Sequence, residues 1–432
     1  MEPSIYAGRR ARLAGQMQRG IAIIPTAPER TRNRDAHYPY RYDSYFYYAT
    51  GFGEPEAILV VIAGDATKSI LFCREKDPER EVWDGFRYGP EAARASFGFD
   101  EAYPIAQLDE LMPQLISNQP SLYCHLGSDG TWDARVMHWV NDVRARARAG
   151  VSAPQTINDV HVPLDEMRLI KDDAEIGVMR RAAAISTGAH RRAMRLAQPG
   201  VAEFAIEAEL MHEFRRNGAQ APAYTPIVAS GAHACVLHYV ENSDVLRDGD
   251  LVLIDAGCEL DGYASDITRT FPVNGRYSGP QRAIYDLVLA AQHAAINEIK
   301  PGSRWIAPHD AAVKVLAQGF VDLGLLQGSV EQALETESYK QYYMHRTGHW
   351  LGLDVHDAGD YKRGGEWREL EPGMVLTVEP GCYIRPGPQV PEHYAGIGVR
   401  IEDDALVTDS GCEIITAGAP KTIADIEALM RS

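Results

Sequence analysis

Four acidic residues close or interrupt hydrophobic runs with the texture of buried strands, and this constrains the chain more than any other feature. Leu251-Val252-Leu253-Ile254 ends in Asp255, and Asp266 closes the stretch DAGCELDGYASD that follows. Met374-Val375-Leu376-Thr377-Val378 ends in Glu379, and Glu402 follows Gly398-Val399-Arg400-Ile401. A carboxylate is costly in such a place unless it is partnered. Asp261-Gly262 is a strong turn signal, so 251–256 and 264–271 are expected to pair as a hairpin. With the loop centred on Leu260-Asp261, Asp255 and Asp266 are directly opposed, their Cβ atoms about 5 Å apart. With the loop centred on Asp261-Gly262 they become diagonal neighbours at roughly 7–8 Å. Both registers place the two side chains on one face. Two like charges that close, in apolar surroundings, do not both stay ionised unless a cation holds them. Any one of these acids could be a solvated edge residue or pair with a base such as Arg400. Four in one half of the chain weaken that reading.

The histidines narrow the chemistry. HRTGHWLGLDVHD contains His345, His349 and His356, and His238 lies in CVLHY. The His345/His349 spacing is that of a zincin helix, but the intervening Glu is missing and Gly348 and Gly352 disfavour a helix. Four carboxylates and an imidazole instead balance two divalent cations. An oxygen-rich set of this kind favours harder ions such as Mn²⁺ over a thiolate zinc centre. Paired ions activate water and polarise a carbonyl.

The balance of 43 basic against 60 acidic residues, a net charge of −17, argues against nucleic acid or an anionic membrane as partner. No apolar run reaches membrane-spanning length, and the N-terminal MEPSIYAGRRARLAGQ has no apolar core of a signal peptide. Six scattered cysteines without a C-x-x-C pair indicate reduced thiols and a cytoplasmic protein.

Texture divides the chain into residues 1–165, expected to be a smaller α/β domain, and 166–432. GVSAPQTINDVHVP (150–163) is the boundary candidate. In the second part, helices are expected from Asp172 or Asp173 to about 197, over Glu203–Asn217, over Gln281–Ile299 and over 308–323. The second should bury Phe204, Met211 and Phe214, and the third Ile284, Leu287, Val288 and Ala291. Strands are expected over Asp250–Ala256, Ser265–Val273, Met374–Ile384 and Gly396–Thr408. Helix pairs alternating with strand pairs read as α+β with an antiparallel sheet.

In order and local context, Asp255, Asp266, His349, Glu379 and Glu402 resemble the five metal ligands of the pita-bread metallopeptidases. LVLIDAGCELDGYASDITRTFPVNG, HWLGLDVHD, EPGMVLTVEPGCYI and GVRIEDD, with RNRDAHYPYRYDSYFYYATGFGEPEA near the N-terminus, resemble the bacterial aminopeptidase P family in particular. The resemblance extends over residues 5–430 and implies a creatinase-like N-terminal domain followed by a pita-bread catalytic domain. It implies that Asp255 and Asp266 bind a first metal, that Asp266 and Glu402 bridge to a second, and that His349 and Glu379 complete the second. Glu379 would also take a proton from the attacking hydroxide. His238 and His356 would hydrogen-bond the scissile carbonyl, with Tyr383 and Arg400 as supports and Arg400 orienting a bridging carboxylate. His345 would line a proline pocket. Trp83 and Asp35 match positions that, in related tetramers, approach a neighbouring active site.

The implied reaction is release of the N-terminal residue from peptides whose second residue is proline. It would use two divalent ions, Mn²⁺ or alternatively Co²⁺ or Zn²⁺, in a homotetramer or dimer. A prolidase, restricted to dipeptides, shares the ligands and is the nearest alternative. A creatinase would lack them, and a non-catalytic pita-bread binding protein would have lost them.

Overall fold

The computed structural model describes residues 1–432, which divide into two compact units, Met1–Met167 and Arg168–Ser432. The first is built on a six-stranded sheet: β1 (Gly20–Pro25), β2 (Ile58–Ala63), β3 (Lys68–Cys73), β4 (Glu101–Pro104), β5 (Ser121–Tyr123) and β6 (Thr156–Asn158), in the order β4-β3-β2-β1-β5-β6. Only β2 runs antiparallel to its neighbours; β1, β5 and β6 are mutually parallel, as are β3 and β4. GIAIIP and ILVVIA are near-continuous hydrophobic runs because both faces of these central strands are covered. Ile21, Ile23, Val60, Ile70 and Phe72 pack with Met112 and Trp139 from flanking helices. The 150–163 stretch, expected as a boundary, contains β6. Its turn-formers flank an edge strand only three residues long, too short to leave a periodic signature.

In the second unit, α1 (Asp173–Leu196) starts where the sequence indicates. Asp172 accepts from Ala174 and Glu175 N–H while Glu175 returns to the Asp172 N–H, a reciprocal cap. It is followed by α2 (Glu203–Arg216), α3 (Gly279–Asn297) and α4 (Ala307–Asp322). Two helix faces differ from expectation. Phe204 is 61% exposed and Met211 only half-buried, while Ile206, Leu210 and Phe214 form the buried stripe of α2. Glu203 takes the inward position at its first turn, accepting from Ser230 and Tyr239. In α3, Leu287 is half-buried and Tyr285 fully buried, which rotates the stripe by a fraction of a turn.

The strands that carry the acids are shorter than expected because they break. β7 (Ile227–Ser230), β8 (Leu251–Asp255) and β11 (Thr268–Pro272) form one antiparallel sheet; between the last two lie the short β9 (Cys258–Leu260) and β10 (Tyr263–Ala264). The expected 374–384 strand is β12 (Val375–Val378) plus β13 (Gly381–Tyr383). The expected 396–408 strand is β14 (Gly398–Arg400) plus β15 (Asp403–Thr408). β12 pairs with β15, and β13 with β14. No helix of the protein is long and apolar enough to cross a membrane.

Candidate metal centre and active site

Each of the four acids sits at a break or end of a strand, where a side chain can turn out of the ladder. Leu260 pairs with Tyr263 and Asp255 with Thr268, one continuous register centred on Asp261-Gly262. Asp255 and Asp266 are therefore diagonal neighbours, the second of the two registers. The chain crosses itself closely here: a Cβ on Gly257 would lie 1.7 Å from the Ser265 carbonyl oxygen. The second acid pair follows the same logic. Val378 pairs with Asp403 and Gly381 with Arg400, which sets Glu379 opposite Glu402, both in the gap between two strand segments.

His349 joins from a glycine-punctuated segment that is not helical. Its backbone N–H donates to Thr377 Oγ1 (3.1 Å), and its carbonyl accepts from the Thr377 N–H (3.0 Å). Only glycine fits at 348, because a Cβ there would lie 2.1 Å from the Thr377 carbonyl. With Nδ1 2.9 Å from the Trp350 carbonyl, the Nδ1–H donates and Nε2 faces the acids. Nε2 lies 3.5 Å from Asp266 Oδ2 and 3.6 Å from Glu379 Oε1. One ligand atom each from Asp266, His349 and Glu402 falls within 4.8 Å of the others, a spacing that a single ion could span.

The electrostatics show too little positive charge for this many acids. Burial, with the Asp266, Glu379 and Asp255 charges, raises the Glu402 carboxyl well above its ordinary range. Glu379 is pushed up to about 7, by burial first, against the pull of His349 and Arg400. Asp255 is raised by burial despite Arg400. Burial also acts on Asp266, but His349 and Tyr224 outweigh it and hold Asp266 low. Burial alone would lower the His349 pKa; its contact with Asp266 and the nearby charges carry it to about 9 instead. Protein cations neutralise only part of the cluster. Buried carboxylates short of counter-charge, with an imidazole nitrogen aimed among them, are a donor set suited to divalent ions.

Around the acids runs a network that the sequence reading found only in part. The Tyr224 hydroxyl lies 2.6 Å from Asp255 Oδ1 and 2.5 Å from Asp266 Oδ1. Thr268 Oγ1 donates to Glu402 Oε2 (2.6 Å), and Asp404 accepts the Asp266 N–H. Arg400 makes its direct contact with Asp255 Oδ2 (2.5 Å) and reaches Glu402 through Thr268 Oγ1. Its Nη1 also donates to the Tyr383 hydroxyl (3.1 Å), which lies 2.8 Å from His345 Nε2. His345 Nδ1–H donates to the Arg346 carbonyl, so Nε2 accepts from Tyr383. Neither Tyr224 nor Thr268 could have been singled out from spacing, since nothing in AYTP or SDIT distinguishes them from ordinary strand-flanking residues.

A cavity of about 790 Å³ opens onto this cluster. His238, Asp255, His345, His349, His356, Glu379 and Arg400 line it, with Trp305, Tyr361 and Trp367 adding aromatic walls. His356 and His238 are exposed, and the His356 ring meets His349 edge-on with centroids 4.3 Å apart. Burial, then the charge of His349, lowers the His356 pKa. Trp83, 82% exposed, and Asp35, in an exposed turn, both lie in the Met1–Met167 unit.

The family model described as metallopeptidase family M24 matches residues 177–409, and that of the aminopeptidase P N-terminal domain matches residues 6–123. The chain belongs to metallopeptidase family M24. It is 46% identical over 428 residues to the Xaa-Pro aminopeptidase of Escherichia coli (strain K12), covering 98% of this chain and 97% of the relative. The structure of Pseudomonas aeruginosa aminopeptidase PepP superposes with a TM-score of 0.98 at 52% identity, covering 100% of this chain and 98% of that one. A zinc-substituted E. coli aminopeptidase P in complex with product superposes with a TM-score of 0.97 at 45% identity, with the same coverage. This M24 chain thus has the expected architecture, an aminopeptidase P N-terminal domain followed by a pita-bread domain.

Proposed function

We propose that this chain is a metal-dependent Xaa-Pro aminopeptidase, hydrolysing the first peptide bond of substrates whose second residue is proline. The observation that carries the reading is the meeting of Asp255, Asp266, His349, Glu379 and Glu402 at one buried cluster beneath an aromatic cavity. The E. coli relative, matched along nearly its whole length, carries that activity in its name. In this reading the two units are its N-terminal and catalytic domains, divided near residue 165.

These five residues, Asp255, Asp266, His349, Glu379 and Glu402, would hold two divalent ions between them. Such a pair, when bound, lowers the pKa of water and polarises the scissile carbonyl. Glu379 takes the proton from the attacking water and passes it to the departing prolyl nitrogen. His238 and His356, at the cavity wall, donate to the carbonyl oxygen as it gains charge. The Arg400–Tyr383–His345 chain keeps one wall rigid, with His345 against the proline ring. A prolyl amide has no N–H and populates two isomers, so a site shaped around its ring selects what general aminopeptidases refuse.

Four carboxylates with one imidazole favour Mn²⁺, with Co²⁺ and Zn²⁺ as alternatives. Free cysteines, five of the six buried, suit a reducing cytoplasm. Exposed Val82, Trp83 and Phe86 support self-association as a tetramer or dimer, in which Trp83 and Asp35 would approach a neighbouring cavity. The test is metal analysis coupled to hydrolysis of an X-Pro-Pro tripeptide and of the dipeptide Gly-Pro, with added Mn²⁺. Tripeptide turnover is expected; cleavage of the dipeptide alone would establish a prolidase instead.

A further inference from the structure

The Met1–Met167 unit contains a second group of metal-ligating side chains, remote in sequence from the five already described. One ligand atom each from His125, Asp159 and His161 falls within 4.8 Å of the others, the same geometric condition that Asp266, His349 and Glu402 meet. His125 Nδ1 is buried, makes no hydrogen bond, and lies 3.5 Å from Asp159 Oδ1. Asp159 Oδ1 also accepts the His161 N–H at 2.9 Å, which ties two of the three residues together through the backbone.

The topology puts this group where α/β sheets bind ligands. From β1 the chain moves to one side through β2, β3 and β4, then returns to the other side of β1 as β5 and β6. The order therefore reverses between β1 and β5, and crevices beyond the carboxyl ends of parallel strands at such a point are the usual ligand position. A cavity of about 680 Å³ lies there, lined by residues that follow β1 (Thr26, Pro28), β5 (His125, Ser128) and β6 (His161). Trp132, whose buried Nε1–H makes no hydrogen bond, lines it as well.

We propose that His125, Asp159 and His161 form a binding site for a transition-metal dication of the borderline class, Zn²⁺ first among them. Two imidazoles and one carboxylate leave a fourth position open to the cavity, a ligand count and type that suit zinc. The contrast with the carboxylate-rich centre makes the site selective: Mn²⁺, which prefers oxygen ligands, has little reason to bind here. The His125 and His161 rings are stacked, with centroids 3.9 Å apart and planes 17° from parallel, and His161 also stacks on Tyr45. An ion shared by both rings lies in the plane of each, so binding requires one ring to turn about its Cβ–Cγ bond and open the stack.

The test is the number of bound ions in metal-stripped full-length protein dialysed against Mn²⁺ or against Zn²⁺. Saturation is expected at two Mn²⁺ but three Zn²⁺ per chain. His125→Ala and, separately, Asp159→Asn should each bring zinc down to two. Both variants should leave Mn²⁺ stoichiometry and Mn²⁺-dependent kcat/KM within about two-fold of the parent, which also shows that they fold. Equal zinc content in parent and variants overturns the proposal. The outcome does not depend on the aminopeptidase reading, because it is a difference in zinc between parent and variant. Failure of the two-ion centre would instead appear as lost Mn²⁺ stoichiometry in the parent.

Discussion

Glu402 and Asp403 are adjacent in the chain and both buried, yet their surroundings drive them in opposite directions. Asp403 accepts from Arg269 Nη2 (2.7 Å), Lys421 Nζ (2.7 Å) and Thr416 Oγ1 (2.9 Å). Burial raises its pKa, but the Arg269 and Lys421 charges outweigh that and hold it low. Glu402 faces Asp266, Glu379 and Asp255 and is raised well above the carboxylate range. Asp357 repeats the first pattern with Arg168 and Lys171, at 2.6 and 2.9 Å. One kind of buried acid is neutralised by the protein itself. The other kind is left with a deficit of positive charge, and that deficit marks a place for an external cation.

The comparison breaks most sharply at Asp266→Asn. The fold should persist while metal is lost, and kcat/KM should fall by more than the roughly 10–100-fold that removing a supporting residue costs. Full metal content with near-normal turnover would show that the deficit is not what holds the ions. On the neutralised side, Asp357→Ala should cost about 3–5 kcal/mol of stability, because buried Lys171 and Arg168 both lose its carboxylate while Arg168 retains Asp354. Urea unfolding measures this; a change below about 1 kcal/mol would contradict the pairing. Metal content need not change.

Tyr224→Phe should have an intermediate effect. The ring remains, the bonds to Asp255 and Asp266 go, and metal affinity should drop about 10–100-fold with little change in melting temperature. Competition with a chelator would read it.

The pH dependence gives a subtler separation. Asp357 and Asp403 have pKa values below those of the unfolded chain, so the native state binds fewer protons there. Their stabilisation is complete above the ordinary carboxylate pKa of about 4 and is lost as pH falls through their folded values. Asp357→Asn should therefore flatten the acid limb of the stability profile. An unchanged acid limb would remove Asp357 from that account. Phe204→Lys, on the exposed face of α2, should shift stability by less than about 0.5 kcal/mol.

Much of the site could be read from local pattern. Hydrophobic runs ending in acids, an Asp-Gly turn and a histidine beside glycine are signals carried by a few neighbouring residues. The α1 cap at Asp172 was legible for the same reason. The α2 face was not, because Phe204 and Leu210 satisfy the same periodicity and only the neighbouring elements select between them. Strand ends at 378, 400 and 403 were equally hidden, since Glu379-Pro380 and Ile401-Glu402 sit within stretches of strand-like composition.

By itself the sequence determined that Asp255, Asp266, Glu379 and Glu402 end or interrupt hydrophobic runs and would be costly to bury; that follows from residue type and immediate context. Tertiary structure alone decided which cations served which acids. Arg269 and Lys421 come from distant segments to Asp403, Arg400 turns to Asp255, and Tyr224 spans two carboxylates. Coulomb energy depends on separation in space, and chain separations of 18 to 145 residues between these partners bear no relation to it.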